Sequence, residues 1–306
     1  MEEIKVFCPA TIANVSCGFD VLGLALDAVG DEMTVRKTVE KGVKITKIIG
    51  QDLPLETEKN VAGVAGLALL EKSGYKGGFE IEIDKRIKPG SGIGSSAASS
   101  SGAVWAMNEL LGKPFSNLEL VQFAMQGEKL ASQVAHADNV APAIYGGFTL
   151  VRSYDPLDIV SIPTPEKLFA TVIHPQIEIK TSDSRKILKT NITLEKGIRQ
   201  WGNLGGLIAG LLQNDYDLIG RSLEDHVVEP IRSILIPGFD EVTSSAKQAG
   251  ALGSGISGSG PSIFALSKGE ATAFKVAETM NKIYQSIGID FDIHISKVNT
   301  QGVKQL

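Results

Sequence analysis

Between Phe79 and Leu111 the chain reads as a strand, a glycine loop and a helix, an order that fixes where a ligand can sit before the rest of the fold is known. Phe79-Glu80-Ile81-Glu82-Ile83-Asp84 alternates apolar and charged residues as a half-buried strand does. Pro89-Gly90-Ser91-Gly92-Ile93-Gly94-Ser95-Ser96-Ala97-Ala98-Ser99 follows, and a helix is expected from about Ser96 to Leu111, closed by Gly112-Lys113-Pro114. Glycine at positions 90, 92 and 94 opens backbone dihedrals closed to other residues and lets an anion approach the main chain. The free amides of the first helical turn and the positive end of the helix dipole then favour phosphate. A Gly/Ser run in this place can also be a plain flexible connection. No Lys follows the glycines, which excludes a Walker A loop, and Ser95 stands where Gly-x-Gly-x-x-Gly has its last glycine. Ser95 and Ser96 can cap the helix, or one of them can reach a magnesium ion on bound phosphates.

With 306 residues the chain is long enough for two cores. Its 43% hydrophobic and 21% charged residues describe a soluble globular protein. A net charge of −5 without a Lys/Arg cluster argues against a nucleic-acid partner. Cys8 and Cys17 form neither a disulfide framework nor a metal spacing. The start, Met1-Glu2-Glu3-Ile4, is unlike a signal peptide, and the longest uncharged apolar run, Val61 to Leu70, is too short for a bilayer. A cytoplasmic protein with no membrane partner is therefore expected, in which the sequons at Asn14 and Asn191 are chance matches.

The glycine loop resembles the ATP-binding motif of the GHMP kinases, a family that includes galactokinases, homoserine kinases and mevalonate kinases. Cys8-Pro9-Ala10-Thr11-Ile12-Ala13-Asn14-Val15-Ser16-Cys17-Gly18-Phe19-Asp20 resembles the family's N-terminal motif in its homoserine kinase form. Gly250-Ala251-Leu252-Gly253-Ser254-Gly255-Ile256-Ser257-Gly258-Ser259-Gly260-Pro261 resembles its C-terminal glycine motif. Three blocks in order are more specific than any one. The resemblance implies an α+β, two-domain architecture, with a ribosomal-protein-S5-like N-terminal domain (residues 1–155) and a ferredoxin-like C-terminal domain (residues 156–306). The residues mark that boundary by a composition shift at Asp155-Pro156 and Pro163-Thr164-Pro165.

As residues alone, Asn14 and Asp20 are turn formers, Asn60 is a helix cap, and Glu128, Arg185 and Arg232 are ordinary surface charges. The resemblance gives each a task. It implies nucleotide contacts from Asn60, Pro89, Gly90, Ser91, Gly92, Ile93, Gly94, Ser95, Ser96, Ala97, Ala98 and Ser99, and Mg2+ held by Ser96 and Glu128. It implies that L-homoserine is bound by Asn14, Asp20, His136, Asn139, Arg185 and Arg232, with the arginines on the substrate carboxylate and Asp20 on its ammonium. The catalytic set would be Ser96, Glu128 and Asn139. Several relatives use a Lys–Asp pair near the acceptor hydroxyl. Thr11 and Asn139 stand in those places here, as they do in the homoserine branch. The implied reaction is transfer of the γ-phosphate of MgATP to the side-chain hydroxyl of L-homoserine in threonine biosynthesis, by a homodimer. Another small alcohol as acceptor, or a nucleotide-binding module without turnover, are the alternatives.

Further along, Met33 to Arg36 and Val43 to Ile48 are expected to form a hairpin about Lys41-Gly42, and helices are expected from Asn60 to Lys72 and Asn117 to Ala135. The second half predicts strands at Leu168–His174, Ser262–Leu266 and Phe291–Val298. Helices are expected at Ser182–Leu188, Leu194–Gln213 and Glu270–Ile287, with one more ending at Gly250. Gly253 to Gly258 spells Gly-x-Gly-x-x-Gly but follows a helix and enters a strand, which excludes a dinucleotide fold. His136 lies beside Asp138, yet no nucleophile elbow accompanies them, so a hydrolase triad is rejected.

Overall fold

The computed structural model describes residues 2–132, 135–179 and 181–306. The first half contains β1 (Glu3–Ala13), β2 (Leu22–Thr38), β3 (Gly42–Ile49), α1 (Val61–Ser73), β4 (Gly78–Asp84), α2 (Ser95–Leu110), α3 (Asn117–Ser132), α4 (Val140–Tyr145), β5 (Phe148–Tyr154) and β6 (Leu157–Ile162). The second contains β7 (Leu168–Pro175), α5 (Thr181–Lys186), α6 (Leu194–Gln213), α7 (Tyr216–Ser222), α8 (Glu229–Arg232), α9 (Phe239–Gln248), β8 (Gly253–Ile256), β9 (Ile263–Lys268), α10 (Glu270–Ile287), β10 (Phe291–Lys297) and β11 (Lys304–Gln305).

One sheet runs β11-β1-β2-β4-β3, with β5 on β2 and β6 on β5. The other runs β10-β7-β9-β8 and is antiparallel throughout. That second order is the ferredoxin-like one, so the expected α+β architecture holds. β7 is one of its two inner strands and is buried at every position, which its apolar run Leu168-Phe169-Ala170-Thr171-Val172-Ile173 permits. Phe239, Val242, Val276, Met280 and Tyr284, on α9 and α10, pack on that sheet's face. The first sheet carries α1 and α2, whose small residues let the helices approach closely: α2 buries all of Ala97 to Val104.

The observed strand pairing differs from the local reading at the expected hairpin and in the C-terminal glycine motif. β2 and β3 are strands but not partners, because β4 lies between them: Ile81 faces Val35 in an antiparallel ladder and Ile45 in a parallel one. Two neighbouring alternations around Lys-Gly mimic a hairpin, and only the insertion of a distant strand removes it. Asp155-Pro156 is the turn of the β5–β6 hairpin, where Tyr154 pairs with Leu157, and the chain changes sheet only beyond Pro163-Thr164-Pro165. Gly253–Ile256, whose glycines read as loop, is strand β8, pairing with β9 from Gly253–Leu266 to Ile256–Ile263. The expected helix from Asn117 extends to Ser132, and residues 133 and 134 within its expected span lie outside the described residues. Among the described residues, no helix is long and apolar enough to cross a membrane.

Candidate active site

One cleft of about 490 Å³ opens at the N-terminus of α2 and is lined from both halves of the chain. β4 delivers the loop, and Gly90, Gly92 and Gly94 take φ values of 76°, 82° and 68°. Two of these glycines are required by what surrounds them. A Cβ on Gly92 would lie 2.6 Å from the carbonyl oxygen of Gly260, and one on Gly94 would lie 2.0 Å from Thr11 Oγ1. The N-cap of α2 is Gly94, which offers no side chain, so the amides of the first turn face the cleft without a capping oxygen.

Of the residues expected around a nucleotide, Asn60, Pro89, Gly90, Gly92 and Gly94 line the cleft, as do Ser95, Ser96 and Ser99. Ile93, Ala97 and Ala98 lie in the core behind it, and Ser91 accepts a hydrogen bond from Ser262 Oγ at 2.6 Å through its carbonyl. Asn60 is a working cap: its Oδ1 accepts the Ala62 amide at 3.0 Å and its Nδ2 donates to Pro54 O at 2.8 Å. The C-terminal glycine motif closes over the loop, with Ser257 Oγ donating to Gly92 O at 2.7 Å.

Ser96 Oγ donates to Glu128 Oε2 at 3.0 Å, which brings a hydroxyl on α2 and a carboxylate on α3 together at the cleft wall. Burial pushes the Glu128 carboxyl up to about 7, against the pull of Ser96 and Lys85. A hydroxyl and a carboxylate converging at a phosphate-favouring helix end are the hard oxygen donors that magnesium takes along with phosphate and water.

Across the cleft the facing wall, where the acceptor is expected, is built from charged side chains. Arg185 Nη2 donates to Asp20 Oδ1 and Oδ2 at 2.7 and 2.9 Å and lies 3.2 Å from His136 Nε2. A guanidinium has no lone pair to offer, so that His136 nitrogen accepts and the ring is neutral. Burial lowers the His136 pKa below its ordinary value, the charges of Arg185 and Arg232 lower it further, and Asp20 opposes them. Arg232 is buried, donates through Nε to Ser184 O at 3.0 Å, and is pushed down to about 10 by burial and by Arg185. Asn14 ties the same loop: its Oδ1 accepts the Asp20 amide at 3.0 Å and its Nδ2 donates to Gly258 O at 2.7 Å. Thr11 Oγ1 donates to Asn139 Oδ1 at 2.8 Å, directly against Gly94.

Four residues of the site were given no role by the sequence, although Phe19 stands within the N-terminal motif and Asp138 beside His136. Lys85, 3% exposed, pairs with Asp31 and donates to Ser95 O at 2.6 Å, bracing the start of α2. Asp31 in turn accepts the Arg86 and Ile87 amides at 2.8 Å each. Asp138 lines the cleft, with its carboxyl pushed up to about 7 by burial and then by Asp20 and Glu128. Phe19 places its ring beneath both guanidinium groups. Phe19 and Asp138 adjoin residues with a readable motif role, Asp31 lies on β2 and Lys85 follows β4, and an ionic or aromatic partner across the fold cannot be read from such neighbours.

A helix N-terminus open to phosphate, beside a hydroxyl–carboxylate pair and opposite a receptor of both charges, defines an enzyme that transfers a phosphoryl group to a small molecule. The family models described as GHMP kinases N terminal domain and GHMP kinases C terminal match residues 59–147 and 207–286. The homoserine kinase of Chloroherpeton thalassium is 47% identical over 319 residues, covering 100% of both chains. That of Methanococcus maripaludis is 42% identical over 88% of this chain and 89% of its own. The crystal structure of homoserine kinase from Cytophaga hutchinsonii is 55% identical with a TM-score of 0.96, covering 100% of this chain and 98% of that one. The chain belongs to the GHMP kinase family.

Proposed function

We propose that the protein is a homoserine kinase that uses ATP to form O-phospho-L-homoserine in threonine biosynthesis. The observation that carries this reading is the cluster of Asp20, Arg185 and Arg232 facing the open end of α2 across one cleft. Two guanidinium groups suit a carboxylate and one carboxylate suits an ammonium, the two charges of an amino acid. A sugar or isoprenoid alcohol has no use for that pair. Full-length identity to homoserine kinases supports the same acceptor.

In this reading the first-turn amides of α2 and the glycine loop hold the ATP phosphates, and Asn60 lies by the base. Ser96 and Glu128 would hold Mg2+, whose charge would offset the negative charge on the phosphates. Arg185 exchanges Asp20 for the substrate carboxylate, Arg232 joins it, and Asp20 turns to the substrate ammonium. Asn14, His136 and Asn139 line the homoserine side. The hydroxyl oxygen attacks the γ-phosphorus, the bond to the β–γ bridging oxygen breaks, and ADP leaves. The hydroxyl proton passes late to a phosphate oxygen or water, because a loose transition state needs little activation of the nucleophile. His136 is unsuited to take it, since its Nε2 lone pair already accepts from Arg185.

The two domains meet the cleft from either side, dividing at residues 163–165, and the enzyme works in the cytoplasm as a homodimer. Leu194, Ile198 and Trp201, exposed along α6, support self-association. The function is tested by following ATP turnover with L-homoserine and identifying the product by 31P NMR. Turnover should need homoserine and should fall heavily for acceptors that lack its ammonium or carboxylate. Equal use of mevalonate would make the protein a different kinase of the family, and absence of any turnover would make it a nucleotide-binding module.

A further inference from the structure

Arg185 and Arg232 converge on one cleft while carrying the same charge, and something must hold them there before a carboxylate arrives. Asp20 neutralises Arg185 directly. Among the described residues Arg232 donates to the carbonyls of Ser184 at 3.0 Å and Gly258 at 3.4 Å, and burial, then repulsion from Arg185, lowers its basicity. What the two groups share is Phe19. The Cζ of Arg185 lies 5.4 Å from its ring centroid and that of Arg232 lies 5.1 Å from it, both within reach of the ring's negative face. The ring lines the same cleft.

The backbone beneath Phe19 is fixed. Asn14, Val15 and Ser16 take φ values of 71°, 41° and 61°, and Asp20 takes 60°, so the residues around Phe19 form a turn in the left-handed region. Hydrogen bonds from Gly18 N to Asn14 O at 2.9 Å and from Asp20 N to Asn14 Oδ1 at 3.0 Å close it on both sides of the ring. Gly18 admits no side chain, since a Cβ there would lie 2.3 Å from Leu22 Cβ. A turn held this firmly presents the aromatic ring and the Asp20 carboxylate side by side to the two arginines.

We infer that Phe19 is a positioning residue for the acceptor: its ring face holds the Arg185 and Arg232 guanidinium groups in register so that both reach one substrate carboxylate. The inference rests on the acceptor reading proposed above and adds the element that orders it. Phe19 acts through the arginines, by the charge distribution of its ring and not by its bulk alone. It discriminates for acceptors with a carboxylate and has no part in holding ATP.

The test separates ring electrostatics from volume. Phe19→Leu should raise KM for L-homoserine by roughly tenfold or more, with kcat changed less than about threefold and KM for ATP unmoved. Pentafluorophenylalanine placed at position 19 keeps the ring's shape and reverses its face charge, and it should raise KM for homoserine in the same way. A fluorinated enzyme with the parent KM, or a Leu variant whose losses fall on kcat and thermal stability alone, would overturn the inference. A second measurement needs no acceptor. In the ligand-free protein, side-chain NMR should show two arginine guanidinium signals displaced by the ring current, and Phe19→Leu should return both to the ordinary range. If neither signal moves, the ring does not hold the arginines, whatever the acceptor proves to be. Failure of the parent enzyme to turn over homoserine would count against the proposed function and leave this NMR result to decide the role of Phe19.

Discussion

On the phosphate side of the cleft the first-turn amides of α2 carry no side-chain cap, whereas on the acceptor side Asp20, Arg185 and His136 already hold one another. The first side is backbone from one contiguous stretch and needs no rearrangement to receive an anion. The second is side chains from separate segments, and a ligand must replace an ion pair that exists without it. An internal pair of opposite charges is a poor host for anything except another pair of opposite charges. The receptor, with its Arg185–Asp20 pair, thus resembles an amino acid, and a ligand with one charge would leave the other buried and unpartnered. On the proposed function, affinity for phosphate and selectivity for the acceptor would therefore arise by different means within one cleft.

The largest expected effect falls on the acceptor side. Arg232→Met should lower kcat/KM for homoserine by about 10⁴-fold while leaving ATP binding within a few-fold, because a site built for a charge rejects what it can no longer pair. Steady-state kinetics in each substrate checks this, and equal losses in both would dissolve the distinction between the two sides. Next come Ser96→Ala and Glu128→Ala, each of which should lower kcat by about 10²–10³-fold with a smaller change in ATP affinity. Parent turnover in both variants would remove the magnesium assignment.

Glu229 tests how the acceptor side is anchored. Its Oε1 accepts the Ile256 amide at 2.8 Å, joining α8, which carries Arg232, to strand β8. Burial, then the nearby Asp225, pushes its carboxyl from the ordinary 4.5 up to about 8. Between those values the folded chain holds one proton more than the unfolded chain, so stability falls as pH rises through that window. Glu229→Gln keeps an acceptor and has no proton to lose. Its stability relative to the parent should therefore improve from about pH 5 to about pH 8, by less than ~1.4 kcal/mol per pH unit because Glu229 keeps some exposure. Denaturant titrations across that range measure it, and parallel curves for the two proteins would contradict it.

The smallest effect is expected at His136. His136→Gln should keep kcat within about tenfold at saturating substrate, and the parent kcat profile should show no acid limb at or below the ordinary histidine pKa of 6.5 that the variant loses. A collapse of kcat together with loss of such a limb would make His136 the base.

Much of the phosphate side was legible because its parts are neighbours in the chain. The alternation of β4, the glycines at 90, 92 and 94 and the hydroxyls at 95 and 96 lie within one segment, and local rules of dihedral and capping decide its shape. α6 and α10 were legible in full, over Leu194–Gln213 and Glu270–Ile287, because long periodic segments with clear stops leave little choice. The acceptor residues could be named only through resemblance, since a lone Arg or Asp in a loop carries no local signature of what it faces.

Sequence by itself determined that a strand enters a glycine loop, that a helix leaves it, and that no Lys follows the glycines, because those facts rest on backbone preferences of adjacent residues. Tertiary structure alone decided that β4 lies between β2 and β3, that Gly253–Ile256 is a strand, and that Lys85 is buried against Asp31. It alone brought Phe19 under two arginines more than 160 positions away, at 185 and 232. Strand pairing, burial of charge and ring contacts depend on groups far apart in the chain, and their energies exist only once the chain has closed them into contact.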